Sequence, residues 1–354
     1  MRIGIPSETK TLEGRVALVP YACGDLVRAG HEVYIQSGAG DKSGFSDEDF
    51  SKVGVNVVPD APSLFKAADL IVKVKEPIAG DLAHLEERHR LFCYLHLAAE
   101  PDLTQALCNI GLTGVAFETV EESGGQLPLL APMSIIAGRI AIQVGTHLLH
   151  QPQGGRGILL GGLGGAERGH IVVLGAGAAG GNAARLAASG GARVTVFDKR
   201  PDRLEEMMAV GHNVSALYPY VEAVSEAVSG ADLVIGAVLV TGAKAPHVVT
   251  AEMISGMEKG SVVVDISVDQ GGCFETTRPT TYQDPTYLVD GVTHFAVTNM
   301  PGAVPRTASQ ALSAAILPYV VKMACDDWRD DPALVKGINV EGGQVVHPAL
   351  LSSA

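Results

Sequence analysis

The sequence predicts an α/β protein made of two Rossmann-like domains with parallel sheets, joined by long helices with a cleft between them. Short apolar runs alternate with helix-like segments along most of the chain, which is typical of βαβ units. A length of 354 residues is enough for two domains of ordinary size. The 42 glycines, against 1 Trp, 8 Tyr and 8 Phe, indicate many tight turns and close backbone approaches, as in cofactor-binding α/β proteins.

The apolar runs predict the strands of both sheets. These runs are Ile3–Ile5, Val33–Ile35, Leu70–Val74, Leu91–Leu95 and Val115–Phe117, then Ile171–Leu174, Val194–Phe197, Leu233–Ile235 and Val262–Asp265. Apolar residues at helical spacing predict helices over Pro20–Ala29, Pro62–Ala68 and Leu103–Asn109. Strands and helices in this alternation favour right-handed crossovers and parallel pairing.

Two long helical segments, Met133–Leu149 and Ala303–Cys325, predict where the chain passes between the domains. A glycine-rich connection follows the first of them, and a new βαβ block begins at His170. We therefore expect a substrate domain formed by residues 1–128 and 306–354. Residues 129–305 are expected to form the nucleotide-binding domain.

Composition excludes several classes of function. A formal charge of −13 repels nucleic-acid phosphates and anionic lipids, so neither is an expected partner. The five cysteines are scattered and form no C-x-x-C pair, which indicates neither a disulfide framework nor a metal site. The N-terminus reaches Glu8 before any apolar segment develops, and this predicts a cytoplasmic protein without a signal peptide.

A dinucleotide fingerprint follows the predicted strand Ile171–Leu174. The segment Gly175–Gly180 reads G-x-G-x-x-G and opens an Ala-rich helix. The first glycine permits the tight turn, the second lets the backbone approach a diphosphate, and the third lets helix and strand pack closely. This predicts cofactor binding by Gly175, Gly177, Ala178, Ala179 and Gly180; the alternative is that these glycines serve packing alone.

The acidic residue that completes such a fingerprint is Asp198, at the end of the next predicted strand. Its carboxylate would bind the ribose hydroxyls and repel a 2′-phosphate, which favours NAD over NADP. Lys199, Arg200 and Arg203 follow it and could neutralise a phosphate, or could simply be a solvated helix start. NAD is the cofactor that the pattern predicts, with Lys199 and Arg203 beside it.

Polar residues at predicted strand ends are candidates for the reaction site, because open α/β sheets bind ligands there. Lys75 could hold a carboxylate or carbonyl oxygen, or be a surface lysine paired with Glu76. His96 could exchange a proton near neutral pH, or be a satisfied core histidine. Arg15 could clamp a carboxylate in a bidentate manner. Asp269 lies just before a Gly-Gly pair that indicates a close approach of the backbone.

Beyond these features, the sequence resembles the bacterial L-alanine dehydrogenases, which are related to the NAD-binding subunit of proton-translocating transhydrogenase. The resemblance covers nearly the whole chain. Its specific motifs are Met1–Lys10, Val72–Pro77, Tyr94–Ala98, Ala131–Ser134, the fingerprint, Val234–Pro246, Val264–Glu275 and Thr298–Gly302.

The resemblance implies a reversible reaction in which L-alanine, NAD and water give pyruvate, ammonium and NADH. It implies that Arg15 and Lys75 bind the substrate, that His96 is the acid/base group, and that Asp269 handles the amine and the attacking water. It also implies a homo-oligomer, a hexamer. The nicotinamide and its ribose would be lined by Ser134, Val238, Leu239, Val240, Ile266–Val268, Asn299 and Met300.

Two other functions stay open at this point. One is a nucleotide-binding subunit of a membrane transhydrogenase, which has no organic substrate; the other is a ligand-sensing relative without activity. The set of Lys75, His96 and Asp269 favours the enzyme, since a subunit that only relays hydride needs no alanine pocket.

Overall fold

The computed structural model describes residues 1–238 and 246–351 and divides into two compact units. The first unit comprises Met1–Met133 together with the chain from Gly302 onward, and the second comprises Ser134–Pro301. The chain passes from one unit to the other within a long helix that begins at Ala131, and returns after Pro301.

The strands in chain order are β1 (Arg2–Ile5), β2 (Glu32–Gln36), β3 (Asn56–Val58), β4 (Leu70–Val72), β5 (Arg90–Cys93), β6 (Thr113–Ala116), β7 (His170–Leu174), β8 (Arg193–Phe197), β9 (Val214–Leu217), β10 (Leu233–Gly236), β11 (Val262–Asp265), β12 (Thr286–Val289), β13 (Val292–Phe295), β14 (Ile338–Glu341) and β15 (Gln344–Val345). The helices are α1 (Pro20–Arg28), α2 (Asp47–Ser51), α3 (Ala61–Ala67), α4 (Ala79–Leu82), α5 (Pro101–Ile110), α6 (Ala131–Leu148), α7 (Ala178–Ser189), α8 (Pro201–Met208), α9 (Val221–Ser229), α10 (Ala251–Ser255), α11 (Pro305–Met323), α12 (Pro332–Lys336) and α13 (Pro348–Leu351).

The sheet of the first unit has the order β15-β14-β6-β5-β4-β1-β2-β3. Strands β1 to β6 pair in parallel in the doubly wound order, so that β1 and β4 are neighbours although the chain visits β2 and β3 between them. At one edge, β14 pairs antiparallel with β6, and β15 pairs antiparallel with β14. Buried aliphatic and aromatic side chains, among them Leu64, Phe65, Ile71 and Leu91, form the core.

The sheet of the second unit has the order β12-β13-β11-β10-β7-β8-β9. All pairs are parallel except β12 with β13, which form an antiparallel hairpin at the edge. Here β7 and β10 are the neighbours at which the strand order reverses. The core includes Val172, Val234, Val263 and Phe274.

The predicted α/β class is therefore confirmed, with sheets that are mostly parallel and mixed at their edges. Two strands are shorter than predicted: β4 ends at Val72 rather than Val74, and β5 ends at Cys93 rather than Leu95. Lys73 and Lys75 therefore both lie beyond the end of β4. In the part of the chain that the structure describes, no helix is long and apolar enough to cross a membrane.

Candidate active site

The strand order gives each unit a place where a ligand is expected. Neighbouring strands whose connections leave in opposite directions open a crevice at their carboxyl ends. In the second unit these strands are β7 and β10, followed by the glycine loop and by Val238. In the first unit they are β1 and β4, followed by the loop of Arg15 and the segment of Lys75.

Two glycines of the fingerprint are required by contacts inside the protein. Gly175 has a φ of +94°, a left-handed conformation that favours glycine. A Cβ at Gly180 would lie 1.8 Å from the carbonyl oxygen of Gly175. The turn and the close packing of α7 on β7 therefore explain both residues.

Gly177 is different, because a Cβ built there would meet no heavy atom within 4 Å. Its φ of −68° is open to any residue, and it is the N-cap of α7. Among the residues that the structure describes, nothing requires glycine at this position. A diphosphate lying on the first amides of α7 would require it, and in this respect the loop fits a dinucleotide.

Gly138 supports the same loop, although it was not predicted as a site residue from the sequence. It lies on α6 in the second unit, and an added Cβ would be 2.1 Å from the carbonyl oxygen of Ala179. The only signal in the sequence is a small residue within the apolar stretch that begins α6. Helix α6 and the start of α7 therefore touch through their backbones.

Asp198 follows β8 directly and is partly buried. Its Oδ2 accepts a hydrogen bond from the backbone N–H of Ala176 at 2.7 Å, and its Oδ1 accepts one from the N–H of Arg200 at 2.9 Å. The carboxylate thus lies next to the glycine loop, as a ribose-binding residue must. It also holds that loop in place.

The three cations after Asp198 differ in their surroundings. Arg200 forms an ion pair with Asp202 at 2.5 Å, and Arg203 lies 3.8 Å from Glu206. Lys199 is exposed. Two of the three positive charges are therefore already balanced by carboxylates, and this weakens the case for a bound 2′-phosphate.

The residues expected to line the nicotinamide lie after β10 and β11. Val238 is tied to the segment after β11, because its carbonyl oxygen accepts from Ser267 Oγ at 2.8 Å. Ile266 donates its N–H to the carbonyl oxygen of Gly236 at 2.8 Å, and Val268 is buried. Leu239 and Val240 lie outside the described residues.

Asp265 is a buried carboxyl at the end of β11 that the sequence analysis did not single out. Its Oδ1 accepts from the N–H of Ser267, and its Oδ2 accepts from the N–H of Cys273 and from Thr277 Oγ1. Burial raises the pKa of Asp265, although these hydrogen bonds oppose the rise. The carboxyl therefore fixes the turn that presents the next segment, which contains Asp269.

The remaining candidates of the second unit occupy short turns. Asp269 is exposed in a 3₁₀ turn, Val268–Gln270, that ends at Gly271 with a φ of +98°. Asn299 has a left-handed φ of +65°, and the buried Met300 accepts a hydrogen bond on its carbonyl oxygen from Tyr282. Ser134 lies in the first turn of α6 and is partly buried.

In the first unit, Arg15 is buried and its guanidinium is bound by Glu13. Nε donates to Oε1 at 2.7 Å and Nη2 to Oε2 at 2.5 Å, while the Arg15 N–H also donates to Oε1 at 3.0 Å. The bidentate clamp predicted for a substrate therefore holds a neighbouring carboxylate along this edge. On the other side of the guanidinium, Nη1 donates to Sδ of Met133 at 3.1 Å.

The two lysines after β4 have different environments. Lys73 is 1% exposed, and its Nζ lies 3.2 Å from Asp81 Oδ2 and 3.5 Å from Glu8 Oε2. Lys75 is partly exposed. Glu76 forms its ion pair with Lys10, and the charge of Lys75 also lowers the pKa of Glu76.

His96 follows β5 and is not a core histidine, since 45% of its side chain is exposed. Its φ of +50° is left-handed, which is uncommon for a residue with a side chain. The ring stacks on that of Tyr94, with centroids 5.8 Å apart and planes 8° from parallel. Tyr94 is itself buried and donates to the carbonyl oxygen of Leu129 at 2.6 Å.

Electrostatics links these residues of the first unit. Burial alone would raise the pKa of Glu13, but the hydrogen bonds and charge of Arg15 and the charge of Lys75 lower it. Arg15 in turn lies close enough to Tyr94 for their charges to interact. Arg15, Lys75 and His96 are thus grouped around Glu13 and Tyr94 at the carboxyl ends of β1, β4 and β5.

Family models cover both units. The model described as "Alanine dehydrogenase/PNT, N-terminal domain" matches residues 4–137, and that described as "Alanine dehydrogenase/PNT, C-terminal domain" matches residues 141–348. The chain belongs to the alanine dehydrogenase/PNT family. The resemblance inferred from the sequence motifs is confirmed.

Relatives within the alanine dehydrogenase/PNT family align over the whole chain. "Alanine dehydrogenase" from Halomonas elongata is 48% identical, over 99% of this chain and 96% of the relative. A solved structure titled "L-alanine dehydrogenase" has a TM-score of 0.96 and 47% identity, covering 100% of this chain and 99% of its own. A transhydrogenase structure from Sinorhizobium meliloti has a TM-score of 0.86 and 27% identity, covering 99% and 100%.

Proposed function

We propose that this protein is an NAD-dependent L-alanine dehydrogenase, which converts L-alanine, NAD and water reversibly into pyruvate, ammonium and NADH. The observation that carries the proposal is the group formed by Arg15, Lys75 and His96 in the first unit. Oxidation at the Cα of an amino acid needs positive charge to hold the substrate carboxylate and a group that can exchange protons. Arg15 and Lys75 supply the positive charge, and the exposed ring of His96 can exchange protons. Identity of 47% to the solved L-alanine dehydrogenase, against 27% to the transhydrogenase, supports the same choice.

The group around Glu13 offers two cations to one substrate carboxylate. Arg15 and Lys75 are positively charged; the charges of Glu13 and Glu8 act on Arg15, and Lys75 interacts with Glu13 and Glu76. In our proposal the substrate carboxylate binds the Lys75 ammonium and the Arg15 guanidinium, which Glu13 holds in place. Lys75 also donates to the carbonyl oxygen as it forms, and stabilises the charge that develops there.

Proton transfers fall to His96 and Asp269. When bound, the dinucleotide accepts the hydride from the Cα of alanine. The substrate iminium is then attacked by water, and the His96 imidazole takes a proton from that water. Before hydride transfer, Asp269 takes a proton from the alanine ammonium, and it later returns this proton to the nitrogen of the water adduct. The hydroxyl proton of the adduct passes to the departing nitrogen, so that ammonium leaves as the carbonyl of pyruvate forms. The reverse direction uses the same groups with the opposite protonation states.

Binding of NAD is proposed for the loop from Gly175 to Gly180, with Asp198 on the adenosine ribose. Ion pairs at Arg200 and Arg203 support a preference for NAD over NADP. The nicotinamide end is proposed to lie against Val238, Ile266, Val268, Asn299, Met300 and Ser134. By resemblance to the family, we also propose a homohexamer, whose mass light scattering after gel filtration would measure.

Initial rates test the proposal and separate it from its alternative. The purified protein should form NADH from L-alanine and NAD, and should consume NADH with pyruvate plus ammonium. L-serine, glycine and NADP(H) in parallel reactions measure the breadth of the site. A protein that binds NADH but oxidises no amino acid would instead favour a nucleotide-binding subunit of a transhydrogenase.

A further inference from the structure

Glu118 lies beside His96 although the two are 22 positions apart in the sequence. It belongs to the short 3₁₀ turn Phe117–Thr119, which directly follows β6, the neighbour of β5. Parallel pairing brings the carboxyl ends of both strands to the same edge of the sheet. His96 and Glu118 therefore meet because each follows its strand by a few residues.

The carboxylate of Glu118 holds the backbone at His96. Its Oε1 accepts from the His96 N–H at 2.6 Å and from the Leu95 N–H at 3.2 Å, and Oε2 lies 3.3 Å from the same Leu95 nitrogen. A left-handed conformation is unfavourable at a residue other than glycine. Charge-assisted hydrogen bonds to two successive amides are strong enough to offset that cost.

The same carboxylate faces the imidazole. Glu118 Oε1 lies 3.9 Å from Nδ1 of His96, too far for a hydrogen bond in this structure but close enough for charge interaction. The side chain of Glu118 is only 16% exposed, so water screens this interaction less than at the open surface. A positive charge on the ring is stabilised by such a neighbour.

We propose that Glu118 is the positioning residue for His96: it fixes the left-handed backbone that presents the ring, and its charge supports the imidazolium formed during alanine oxidation. This inference rests on the proposed function, because it assigns Glu118 a role in that reaction. Glu118 touches neither substrate nor nucleotide in this role. It acts through His96 alone.

Three other titratable groups face Glu118. Burial raises the pKa of Tyr94 and of the Cys93 thiol, so neither ionises near neutral pH. Burial lowers the pKa of His347, while the charges of Glu118 and Glu121 oppose this change. His347→Gln is therefore included as a control, so that its titration is not mistaken for that of His96.

Two substitutions separate the two parts of the role. In Glu118→Gln an oxygen at Oε1 can still accept from both amides, but the charge is gone. In Glu118→Ala both are lost. Glu121→Gln is the matched control, because Glu121 lies three residues further on and forms an exposed ion pair with Lys336.

Kinetics with L-alanine and NAD is measured from pH 6 to pH 10. For Glu118→Gln we expect kcat to fall by about 3- to 10-fold, with the KM for NAD within about twofold of wild type. On the acid side of the pH profile, kcat rises with pH, and the midpoint of this rise should move to lower pH by about half a unit. A shift of this size is what a partly exposed charge pair gives. For Glu118→Ala kcat should fall by about 10²-fold. Glu121→Gln and His347→Gln should show the same midpoint on the acid side of the pH profile as wild type.

Hydrogen exchange gives a readout that does not depend on activity. Exchange of the Leu95 and His96 amides, followed by mass spectrometry in the full-length protein, should accelerate by about tenfold or more in Glu118→Ala and by less than about threefold in Glu118→Gln. The His96 ring titration, followed by NMR in wild type and Glu118→Gln, should show the same lowered midpoint as the kinetics. If Glu118→Ala does not fold, Glu118→Gln alone tests the proposal, through the midpoint of its kinetic pH profile and the midpoint of its NMR titration.

The proposal is overturned if the acid limb and NMR midpoint of Glu118→Gln coincide with those of wild type. It is also overturned if a folded Glu118→Ala keeps more than about a third of wild-type turnover. Failure of the proposed function looks different, because the wild-type protein would then form no NADH from alanine. In that case exchange and NMR still decide whether Glu118 positions His96.

Discussion

The backbone N–H of Ala176 donates to Oδ2 of Asp198 over 2.7 Å. Asp198, at the end of β8, therefore stabilises the middle of the glycine loop that follows β7. Removing its side chain changes the shape of the loop as well as the charge near the ribose. A substitution that keeps the hydrogen bond is needed to see the effect of charge alone.

Asp198→Asn should narrow the preference for NAD over NADP. The Asn side-chain oxygen can still accept from Ala176, while the charge that repels a 2′-phosphate is gone and Lys199 remains nearby. We expect the ratio of kcat/KM for NAD to that for NADP to fall by about tenfold, equal to about 1.4 kcal/mol. Steady-state kinetics with both nucleotides gives this ratio.

Asp198→Ala serves as the comparison for the loop. It removes the acceptor for Ala176 as well as the charge, so affinity for both nucleotides should fall. A wild-type protein that already prefers NADP would contradict the assignment of Asp198 to the ribose.

Gly177→Ala should lose affinity for the nucleotide but keep its stability, whereas Gly180→Ala should lose stability. An added Cβ at Gly177 meets no atom of the described residues within 4 Å but would stand where the diphosphate is expected, so Tm should stay near wild type while NADH affinity falls by about tenfold or more. At Gly180 the added Cβ would overlap the Gly175 carbonyl oxygen, and stability should fall by about 1–3 kcal/mol. Calorimetry and NADH fluorescence titration measure the two effects.

Each glycine variant is the control for the other. If Gly177→Ala kept full NADH affinity, the diphosphate would not lie at the start of α7. If Gly180→Ala were as stable as wild type, the backbone of β7 and α7 would have to move apart at little cost.

Local patterns predicted most of the central strands, because a strand buried on both faces is a continuous apolar run. They did not predict the edge strands β3, β9, β12 and β15, which have polar or partly exposed residues, nor β13 and β14, which lie next to the edge strands β12 and β15. The end of β4 was also misjudged. The N–H of Lys73 still donates to the carbonyl oxygen of Phe92 on β5, but the N–H of Val74 donates to Oε1 of Glu8, from another part of the chain.

For the candidate site, the sequence indicated the residues that carry charge but not their partners. Nothing local to Arg15 says that Glu13 binds its guanidinium from two positions away rather than leaving it for a substrate. Glu118 and Gly138 were missed for a similar reason. Their roles depend on which strands and helices become neighbours, and that is decided by tertiary packing.

Lys75→Ala should lose turnover and keep nucleotide binding. Lys75 belongs to the first unit, whereas the fingerprint lies in the second, so removing the ammonium should affect the substrate alone. We expect kcat with L-alanine to fall by about 10²-fold or more. The Kd for NADH, measured by fluorescence, should stay within about twofold of wild type.

Lys66→Ala is the control for Lys75, since Lys66 is an exposed lysine on α3 of the same unit. It should retain wild-type rates. Loss of NADH affinity in a folded Lys75→Ala protein would show that Lys75 serves the nucleotide or the fold instead.

His96→Ala and Asp269→Asn should both be nearly inactive while remaining folded. A neutral imidazole must accept a proton as alanine is oxidised, so the wild-type rate should rise with pH, and His96→Ala should lose this limb. Loss of an acid/base group costs about 10²- to 10⁴-fold in rate. In Asp269→Asn, an amide cannot take up a proton.

His212→Ala, at an exposed position of the second unit, is the control. Retention of more than about a tenth of wild-type turnover in His96→Ala would rule out its acid/base role.

His89 gives a prediction for stability against pH. It is 1% exposed; its Nδ1 accepts from the N–H of Glu86 at 2.8 Å and its Nε2 lies 2.9 Å from the carbonyl oxygen of Phe65. The ring is therefore held neutral, with its proton on Nε2. Burial lowers the pKa of His89 from its ordinary 6.5, and likewise the pKa values of the buried His170 and His294.

A lowered pKa in the folded state means that the unfolded chain binds more protons just below pH 6.5. The stability from these neutral rings is fully present above pH 6.5 and is lost as pH falls towards their folded pKa values. Each such proton contributes a slope of up to about 1.4 kcal/mol per pH unit.

We therefore expect the free energy of unfolding to fall steeply from pH 6.5 to pH 5. In His89→Gln, where the amide can replace both hydrogen bonds, this slope should be smaller by up to one proton, whereas His212→Gln should leave it unchanged. Urea unfolding at several pH values measures the slope, and equal slopes in wild type and His89→Gln would mean that the buried ring takes up its proton without unfolding.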